Sequence, residues 1–236
     1  MRPASVPGQT FQGLEAVLFD LGGTLDAPGI PWKERLHGLY RAEGVTVSTE
    51  RFASAFYRAD DGLVGVVPPA LSLRETVGRL VSGVNEALGL DTPGLADRLA
   101  QQFYDQAMSY VSANAPVLAR LAGRYRLGVV SNFYGNLGAV CDEMGLQPFL
   151  SVMVDSAQVG WMKPDVRIFR HALDQLGVRP GAAAFVGDSL PRDMAGARAA
   201  GMAHVWLASD NGHAADPCCP GDQVVHTLEM LPGLLL

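Results

Sequence analysis

Polar side chains suited to catalysis or ligand binding stand directly after short apolar runs at three places in the chain. Asp20 follows AVLF, Ser131 and Asn132 follow RLGVV, and Asp188 follows AAAFVG. Such runs are typical of buried parallel strands, and ligands bind beyond the carboxyl ends of these strands. We therefore expect these side chains to meet at one edge of a sheet, although they are far apart in the sequence.

Each of these residues also has an ordinary structural interpretation. An aspartate that ends a strand often forms a turn or caps a helix, because its side chain can accept hydrogen bonds from the backbone that follows. The segment KPD at 163–165 can begin a helix with its lysine in solvent, and Asp193, after the GD pair at 187–188, can cap another. In a chain with 18% charged residues, the combination favours one site over several unrelated turns.

Five apolar runs predict the strands of a parallel sheet, and helical segments separate several of them. The runs are AVLF (16–19), RLGVV (126–130), VMVD (152–155), AAAFV (182–186) and HVWLA (204–208). Spacers such as DVRIFRHALDQLG carry apolar residues at helical spacing and end on glycine, a frequent residue just past a helix. The pattern predicts an α/β fold with a Rossmann-like parallel sheet.

Residues 32–113 differ from the rest of the chain. Their apolar residues recur at spacings of three and four, which predicts a block of amphipathic helices. Proline-rich segments, APGIP at 27–31 and NAP at 114–116, predict hinges on either side. We predict an α/β core domain made of residues 1–28 and 116–236, and a small all-α cap domain made of residues 29–115.

Charge and cysteine content exclude several classes of function. The formal net charge of −6 disfavours nucleic-acid and membrane partners, because both surfaces are anionic. The opening MRPASVPGQTFQG lacks the apolar segment of a secretory signal or membrane anchor. Cys141, Cys218 and Cys219 lack C-x-x-C spacing, which disfavours a disulfide framework or zinc site. We expect a cytoplasmic protein; the sequence indicates neither its oligomeric state nor a role for Cys218 and Cys219.

Four short motifs occur in a characteristic order along the chain. DLGGT at 20–24, SN at 131–132, KPD at 163–165 and GDSLPRD at 187–193 together resemble the motifs of the haloacid dehalogenase (HAD) superfamily of hydrolases. The resemblance spans about residues 14–210, including an insertion where that family often places a helical cap. It implies the HAD fold and a hydrolase, most often a phosphatase that acts on small phosphorylated metabolites.

The resemblance also implies a role for each matched residue. Asp20 is the expected nucleophile, which forms an aspartyl-phosphate and divides one difficult displacement into two steps. Lys163 is expected to place a fixed positive charge beside it. Attack by a carboxylate on an anionic phosphoryl group requires a hard cation with oxygen ligands, for which Mg²⁺ is expected. The expected metal ligands are Asp20, the Gly22 carbonyl and Asp188, with Asp193 close behind; the expected substrate-binding residues are Thr24, Ser131 and Asn132.

Gly22 departs from the family's pattern. Phosphatases of the family usually carry a second aspartate here, which protonates the leaving oxygen and activates the incoming water. General acid–base catalysis contributes about 10² to 10⁴-fold, so we expect a slow enzyme that favours leaving groups that need no proton, such as aryl or acyl phosphates. His37 and Glu34 of the cap are candidate replacements, and we expect Gly22→Asp to raise turnover.

Two other functions remain open. A 2-haloacid dehalogenase uses the same carboxylate against carbon and also lacks the second aspartate, but Asp188 and Asp193 disfavour it, because the family's dehalogenases generally replace the magnesium-binding aspartate. The missing acid also leaves open a catalytically weak phosphoryl-binding protein. The substrate is not identified. Tyr40, Phe56 and Tyr57 can line its site, although aromatic residues at helical spacing more often belong to a core.

Overall fold

The computed structural model describes residues 11–209 and 223–236, and within them a six-stranded parallel sheet forms the centre of the molecule. The strands are β1 (Ala16–Phe19), β2 (Arg126–Ser131), β3 (Leu150–Asp155), β4 (Ala183–Gly187), β5 (Ala203–Leu207) and β6 (Gln223–Val225). Their order is β3-β2-β1-β4-β5-β6. The predicted α/β class and all five predicted strands are confirmed. The sequence analysis missed β6, whose three residues are too few to show a pattern.

The direction in which successive strands are added to the sheet reverses beside β1. Chain connections run from β1 outward to β2 and β3, and then return to β4 on the other side of β1. β1 and β4 are buried along their whole length, as expected for strands covered on both faces. In such sheets ligands bind at the carboxyl ends of the strands flanking this switch point, so the ends of β1 and β4 are where a site is expected.

Between β1 and β2 the chain forms four helices, as the apolar spacing predicts. They are α1 (Trp32–Ala42), α2 (Thr49–Asp61), α3 (Leu73–Leu88) and α4 (Leu95–Ala122). One apolar cluster contains residues of these helices together with residues such as Val17 and Phe19 on one face of the sheet. The helical block is therefore packed onto the sheet through a shared core.

The second predicted hinge is wrong. The NAP segment at 114–116 lies inside α4, which continues through Pro116 to Ala122. Proline removes a backbone donor, but Val117, Leu118 and Leu121 are buried in the shared apolar cluster, and this packing outweighs the local preference. The first segment, APGIP, is not helical and leads into α1. The division into core and cap at residues 29–115 stays a prediction.

Shorter helices connect and cover the remaining strands. They are α5 (Leu137–Glu143), α6 (Ser156–Val159), α7 (Val166–Leu176), α8 (Ala195–Ala200) and α9 (Leu231–Leu235). Successive side chains of β1 point to opposite faces, so Ala16 and Leu18 join a second apolar cluster, with Phe169 of α7 and Phe185 of β4. Both faces of the sheet are thereby buried, which fixes the strand ends in space.

A few expectations from the sequence concern residues outside this description. The opening residues 1–10 and the pair Cys218 and Cys219 lie outside the described residues. Cys141 lies within them and is buried. Within the described residues, no helix combines the length and apolar character needed to cross a membrane.

Candidate active site

The apolar run of β1 ends at Asp20, whose N–H donates to the carbonyl of Val186 in β4 at 2.9 Å. The chain then turns sharply over Leu21–Leu25. Gly23 has φ +91°, and a Cβ added there would lie 2.5 Å from Oδ2 of Asp188. Both observations require glycine, because a side chain would be strained and would displace the Asp188 carboxylate. The bare turn therefore lets the β1 end approach the β4 end.

Asp20 is held by two side chains that come from distant parts of the sequence. Ser131, at the end of β2, donates its hydroxyl to Asp20 Oδ1 at 2.9 Å. Lys163, which lies between α6 and α7, places Nζ 2.8 Å from the same oxygen. The structure thus brings three of the predicted site residues into direct contact.

Lys163 also forms a second ion pair, with Asp193 Oδ1 at 2.7 Å. The lysine side chain is 2% exposed, and this burial disfavours its charge. The neighbouring charges of Asp193 and Asp20 nevertheless raise the pKa of Lys163 above its ordinary value. Lys163 is therefore a permanent cation between two carboxylates.

Three carboxylates, those of Asp20, Asp188 and Asp193, gather at the ends of β1 and β4. Each offers an oxygen within 4.8 Å of the others. Burial, and then repulsion by Asp193 and Asp20, raise the pKa of Asp188 well above its ordinary value. Burial also raises the pKa of Asp193 to about 6, although Lys163 opposes the rise. The single ammonium of Lys163 does not neutralise the three carboxylates when they are ionised. The carboxylate oxygens are ligands that suit a hard divalent cation.

Other residues hold the acidic group in position. Thr24 donates its hydroxyl to Asp188 Oδ1 at 3.2 Å, and the indole of Trp206 donates to the Asp188 carbonyl at 2.9 Å. Asp193 is fully buried, and its Oδ2 accepts the Ser189 N–H at 3.0 Å. Asp193 therefore lies behind Asp188, paired with Lys163 and the backbone. The sequence analysis did not single out Trp206, which lies in the middle of an apolar run.

The side-chain amide of Asn132 both donates a hydrogen bond to the backbone of Lys163 and accepts one from it. Its Nδ2 donates to the Lys163 carbonyl at 3.1 Å, and its Oδ1 accepts the Lys163 N–H at 2.7 Å. The side-chain amide thereby fixes the segment that carries the lysine. Its predicted role as a substrate-binding residue stays a prediction.

We refer to Asp20, Ser131, Lys163, Asp188 and Asp193 as the strand-tip cluster. A cavity of about 220 Å³ opens beside it, lined by all members of this cluster except Asp193. Helices α1 and α2 provide the opposing lining, which we term the cap wall. The cap wall consists of Trp32, Lys33, Glu34, Phe56, Tyr57 and Asp60.

The aromatic residues predicted to line the site divide into two groups. Phe56 and Tyr57 line the cavity, whereas Tyr40 is fully buried in the helical block and donates to Asn85 Oδ1 at 2.6 Å. His37, considered as a replacement acid, does not line this cavity. Its ring stacks on Phe52 with centroids 4.5 Å apart, so that expectation is wrong. Glu34 does line the cavity.

A buried network fixes the first residue of α1 against the β1 turn. Asp26 is fully buried and accepts from Gly23 N at 2.7 Å, Trp32 Nε1 at 2.7 Å and Arg35 Nη1 at 2.8 Å. Burial raises the pKa of Asp26, although Arg35 opposes the rise. The sequence analysis missed this network. Its signal is Arg35 on the otherwise apolar face that includes Trp32 and Leu36.

Trp32 also closes the space in front of Gly22. A Cβ added at Gly22 would lie 3.1 Å from Trp32 Nε1 and 3.3 Å from Cδ1. The indole is held by Asp26 and packs edge-on against Phe103, with centroids 5.0 Å apart. A side chain at position 22 therefore requires a tethered ring to move. We therefore expect Gly22→Asp alone to raise turnover less than the missing acid by itself would suggest.

Comparison with known proteins agrees with this architecture. The sequence profile of the haloacid dehalogenase-like hydrolase family matches residues 14–201. Haloacid dehalogenase-like hydrolase domain-containing protein 3 from Bos taurus is 44% identical over 84 residues, which cover 36% of this chain and 33% of that protein. The chain spans less than two thirds of the length of the matched relatives of that name in cattle, mouse and zebrafish. Phosphoserine phosphatase from Thermus thermophilus is 32% identical over 187 residues, which cover 77% of this chain and 69% of that protein.

Solved structures extend the likeness to nearly the whole chain. A HAD phosphatase from Thermococcus onnurineus superposes with a TM-score of 0.58 at 25% identity, covering 94% of this chain and 98% of that chain. A 2-haloacid dehalogenase from Pseudomonas syringae superposes with a TM-score of 0.53 at 26% identity, with the same coverage. With the family profile over most of its length, this chain belongs to the haloacid dehalogenase-like hydrolase family.

Proposed function

We propose that the protein is a Mg²⁺-dependent phosphatase that hydrolyses small phosphorylated metabolites through an aspartyl-phosphate on Asp20. The observation that carries this proposal is the arrangement around the Asp20 carboxylate. Ser131 and Lys163 hold Oδ1 at 2.9 and 2.8 Å, while Asp188 and Asp193 offer further oxygens within 4.8 Å. A held carboxylate beside an acidic oxygen cluster suits phosphoryl transfer better than simple anion binding.

Asp20 attacks through the oxygen that is not anchored. Because Oδ1 contacts Ser131 and Lys163, Oδ2 is the atom that forms the new bond to phosphorus. Lys163 stabilises the charge that spreads over the phosphoryl oxygens. The Thr24 hydroxyl donates to Asp188 Oδ1, and the Ser131 hydroxyl to Asp20 Oδ1. Both hydroxyls turn to donate to the phosphoryl oxygens when substrate binds. The phosphorylated carboxylate is then hydrolysed by water, which restores Asp20 and releases phosphate.

Asp20, the Gly22 carbonyl and Asp188 are the proposed Mg²⁺ ligands, with Asp193 holding Lys163 and the Ser189 backbone behind them. The surroundings of Asp188 support this assignment, because burial, and then repulsion by Asp193 and Asp20, raise its pKa when no cation is present. A bound Mg²⁺ would offset the repulsion between the nucleophile and the phosphoryl dianion. The resemblance to phosphatases in sequence and structure supports the same reaction class.

A phosphate-release screen tests the proposal. Wild type and Asp20→Asn are assayed on a panel of phosphorylated metabolites, together with para-nitrophenyl phosphate, with and without Mg²⁺. We expect release that requires Mg²⁺ and a loss of roughly 10⁴-fold or more in Asp20→Asn, because the nucleophile is removed. Asp174→Asn makes the same charge change at an exposed position of α7 and is the matched control. Tight phosphate binding without turnover across the panel would reject the proposal.

A 2-haloacid dehalogenase is the second candidate, because Gly22 supplies no second carboxylate and the fold resembles such an enzyme. That reaction uses Asp20 to displace halide from carbon and needs no cation to offset a phosphoryl charge. Asp188 stands against it, since a third carboxylate beside Asp20 adds repulsion without a function. Halide release from 2-chloropropionate that is insensitive to chelation would favour this candidate over the phosphatase.

A further inference from the structure

The site has no acidic side chain at position 22 to protonate the oxygen of the leaving group. Gly22 has no side chain, and Trp32 Nε1 lies 3.1 Å from where its Cβ would stand. Trp32 is itself held by Asp26 at 2.7 Å and packs against Phe133, with centroids 5.8 Å apart. A proton for the leaving oxygen must therefore come from another group on the cavity lining.

Asp60 and Glu34 are the carboxylates of the cap wall. Glu34 has a side chain that is 48% exposed and forms an ion pair with Lys33 at 3.3 Å. Glu34 therefore stands exposed to solvent, held by a neighbouring residue of the same helix. Asp60, near the end of α2, is half-buried, and its Oδ1 accepts the hydroxyl of Tyr134 at 2.5 Å.

The contact between Asp60 and Tyr134 joins the cap wall to the loop that follows β2. Tyr134 is 5% exposed, lies three residues beyond Ser131, and accepts the Gly65 N–H at 3.1 Å on its carbonyl. Tyr134 therefore fixes the Asp60 side chain over the same cavity that Asp20 lines.

The surroundings of Asp60 suit a group that gains and loses a proton. Burial raises its pKa above the ordinary value, Asp61 adds to the rise, and Tyr134 and Arg192 oppose it. Arg192 comes from the turn after β4 and lines the same cavity. Lys33 and Glu34 of α1 are the other charged groups of the cap wall.

We propose that Asp60 is the general acid and base of this enzyme, in place of the aspartate that Gly22 lacks. The proposal rests on the proposed phosphatase function. As Asp20 Oδ2 bonds to phosphorus and the bond to the leaving oxygen breaks, the Asp60 carboxyl gives its proton to that oxygen, which departs as an alcohol. The Asp60 carboxylate then takes a proton from water as the water oxygen bonds to phosphorus and the bond to Asp20 breaks. Phosphate and the starting enzyme result.

The test compares two esters that differ in their need for a proton. The substrates are β-glycerophosphate, whose alkoxide must be protonated, and para-nitrophenyl phosphate, whose leaving group departs as an anion. We expect Asp60→Asn to lower kcat/KM for β-glycerophosphate by about 10² to 10⁴-fold and for para-nitrophenyl phosphate by less than about tenfold. The ratio kcat/KM reports the first transfer, so the slower second step does not obscure the difference.

The pH profile provides a second readout. In wild type, kcat/KM for β-glycerophosphate falls as pH rises through the pKa of Asp60, because the acid must be protonated; in Asp60→Asn this limb disappears. Asp174→Asn, at an exposed position of α7 outside the cavity lining, is the matched control and keeps kcat/KM for both esters. If Asp60→Asn folds poorly by circular dichroism, Asp60→Ser removes the same carboxyl with less bulk and carries the same expectation.

The outcomes are separable. An equal loss on both esters assigns Asp60 a structural role and overturns the proposal. A loss confined to β-glycerophosphate in Glu34→Gln, with none in Asp60→Asn, moves the acid to Glu34 and also overturns it. Absence of Mg²⁺-dependent hydrolysis of both esters by wild type rejects the phosphatase function itself, and the acid role with it.

Discussion

The strand-tip cluster and the cap wall line one cavity but are positioned by different forces. Members of the strand-tip cluster stand at the ends of hydrogen-bonded strands or on turns tied to them, as when Asp20 N–H donates to Val186 in β4. Members of the cap wall stand on helices placed by side-chain packing, such as Trp32 against Phe103 and Phe133. Backbone hydrogen bonds of the sheet position the strand-tip cluster, and side-chain packing positions the cap wall.

The two regions also differ in charge. The strand-tip cluster is dense in carboxylates with one ammonium, so its energy depends strongly on protons and cations. The cap wall has equal numbers of aromatic and charged members, and its charges have both signs: Trp32, Phe56 and Tyr57 stand beside Lys33, Glu34 and Asp60. Under the proposed function, the strand-tip cluster carries the nucleophile, while the cap wall contacts the leaving group and, through Asp60, supplies its proton. Gly22 and Trp32 lie where the two regions meet.

The largest expected effect follows from removing one carboxylate of the strand-tip cluster. Asp188→Asn removes a proposed Mg²⁺ ligand and relieves repulsion with Asp20 and Asp193. We expect phosphatase activity to fall by roughly 10³-fold, about 4 kcal/mol of transition-state stabilisation. The metal-free variant should melt several degrees above wild type at pH 7.5, since each kcal/mol shifts Tm by about 2–4 °C in a chain of this size.

The pH dependence of this stability has a definite sign. The pKa of Asp193 is raised to about 6, and that of Asp188 is also raised, so ionising them in the fold is unfavourable. Their contribution is fully present below the unfolded pKa, near 4, and is lost as pH rises through about 6 and beyond. Metal-free wild type should therefore lose stability over this interval, and Mg²⁺ should raise Tm most above pH 6.

Thermal unfolding with and without Mg²⁺ at pH 5 and pH 7.5 measures both effects. Asp188→Asn should show a flatter pH dependence and little response to Mg²⁺. Asp174→Asn should respond as wild type does. An undiminished Mg²⁺ shift in Asp188→Asn would remove Asp188 from the proposed ligand set.

A smaller effect is expected where the two regions meet. Gly22→Asp alone should change turnover little, because the added Cβ would stand 3.1 Å from a tethered Trp32. Trp32→Phe removes the Nε1 atom that stands closest and leaves Arg35 to pair with Asp26. We expect Gly22→Asp to raise kcat on β-glycerophosphate about 10-fold in the Trp32→Phe background, because a carboxyl at position 22 then stands beside the leaving oxygen and adds to proton transfer by Asp60.

Steady-state kinetics of wild type, both single variants and the double variant form the cycle that measures this coupling. A full gain in Gly22→Asp alone would mean that Trp32 yields freely and does not close the space. No gain in the double variant, with folding retained, would mean that the loss of the aspartate does not limit turnover.

The strand-tip cluster was accessible from sequence because its geometry depends on few variables. The carboxyl ends of parallel strands lie at one edge of the sheet, whatever the conformation of the loops that connect them. Asp20, Ser131 and Asp188 could therefore be placed together from their positions after apolar runs. Lys163 required the family resemblance, because it lies on a loop. An aspartate after a strand is not sufficient by itself: Asp155 ends β3, yet its carboxylate accepts from the backbone N–H groups of Gly135, Leu137 and Ala157 and so holds loops together.

The cap wall was not accessible in the same way. Periodicity predicted that α1 and α2 exist, but the side chains that face the cavity depend on how the helices are rotated and packed. Tyr40 is buried in the helical block, while Phe56 and Tyr57 line the cavity, although all three fit an apolar helical face. Likewise α4 passes through Pro116, because buried leucines outweigh the local preference for a break.

The smallest expected effect concerns Tyr57, which tests whether this aromatic residue of the cap wall acts on binding alone. Its ring is 41% exposed, its hydroxyl contacts Lys33 Nζ at 3.2 Å, and that ammonium lies 5.1 Å from the ring centroid. Tyr57→Ala removes the ring and the hydroxyl that contacts Lys33, while Lys33 keeps its ion pair with Glu34. We expect KM for para-nitrophenyl phosphate to rise about 3 to 10-fold with kcat nearly unchanged, because contact with the leaving group is lost equally in the ground and transition states.

Tyr110→Ala is the matched control, since Tyr110 is 38% exposed on α4 and is not among the residues that line the cavity. An equal change of KM in both variants would mean that the effect comes from a general loosening of the helical block and not from the cavity. A fall in kcat specific to Tyr57→Ala would instead show that Tyr57, like Asp60 on the same helix, participates in the chemical step. Binding of the leaving group and proton transfer to it would then depend on the same part of α2 and could not be assigned to separate residues.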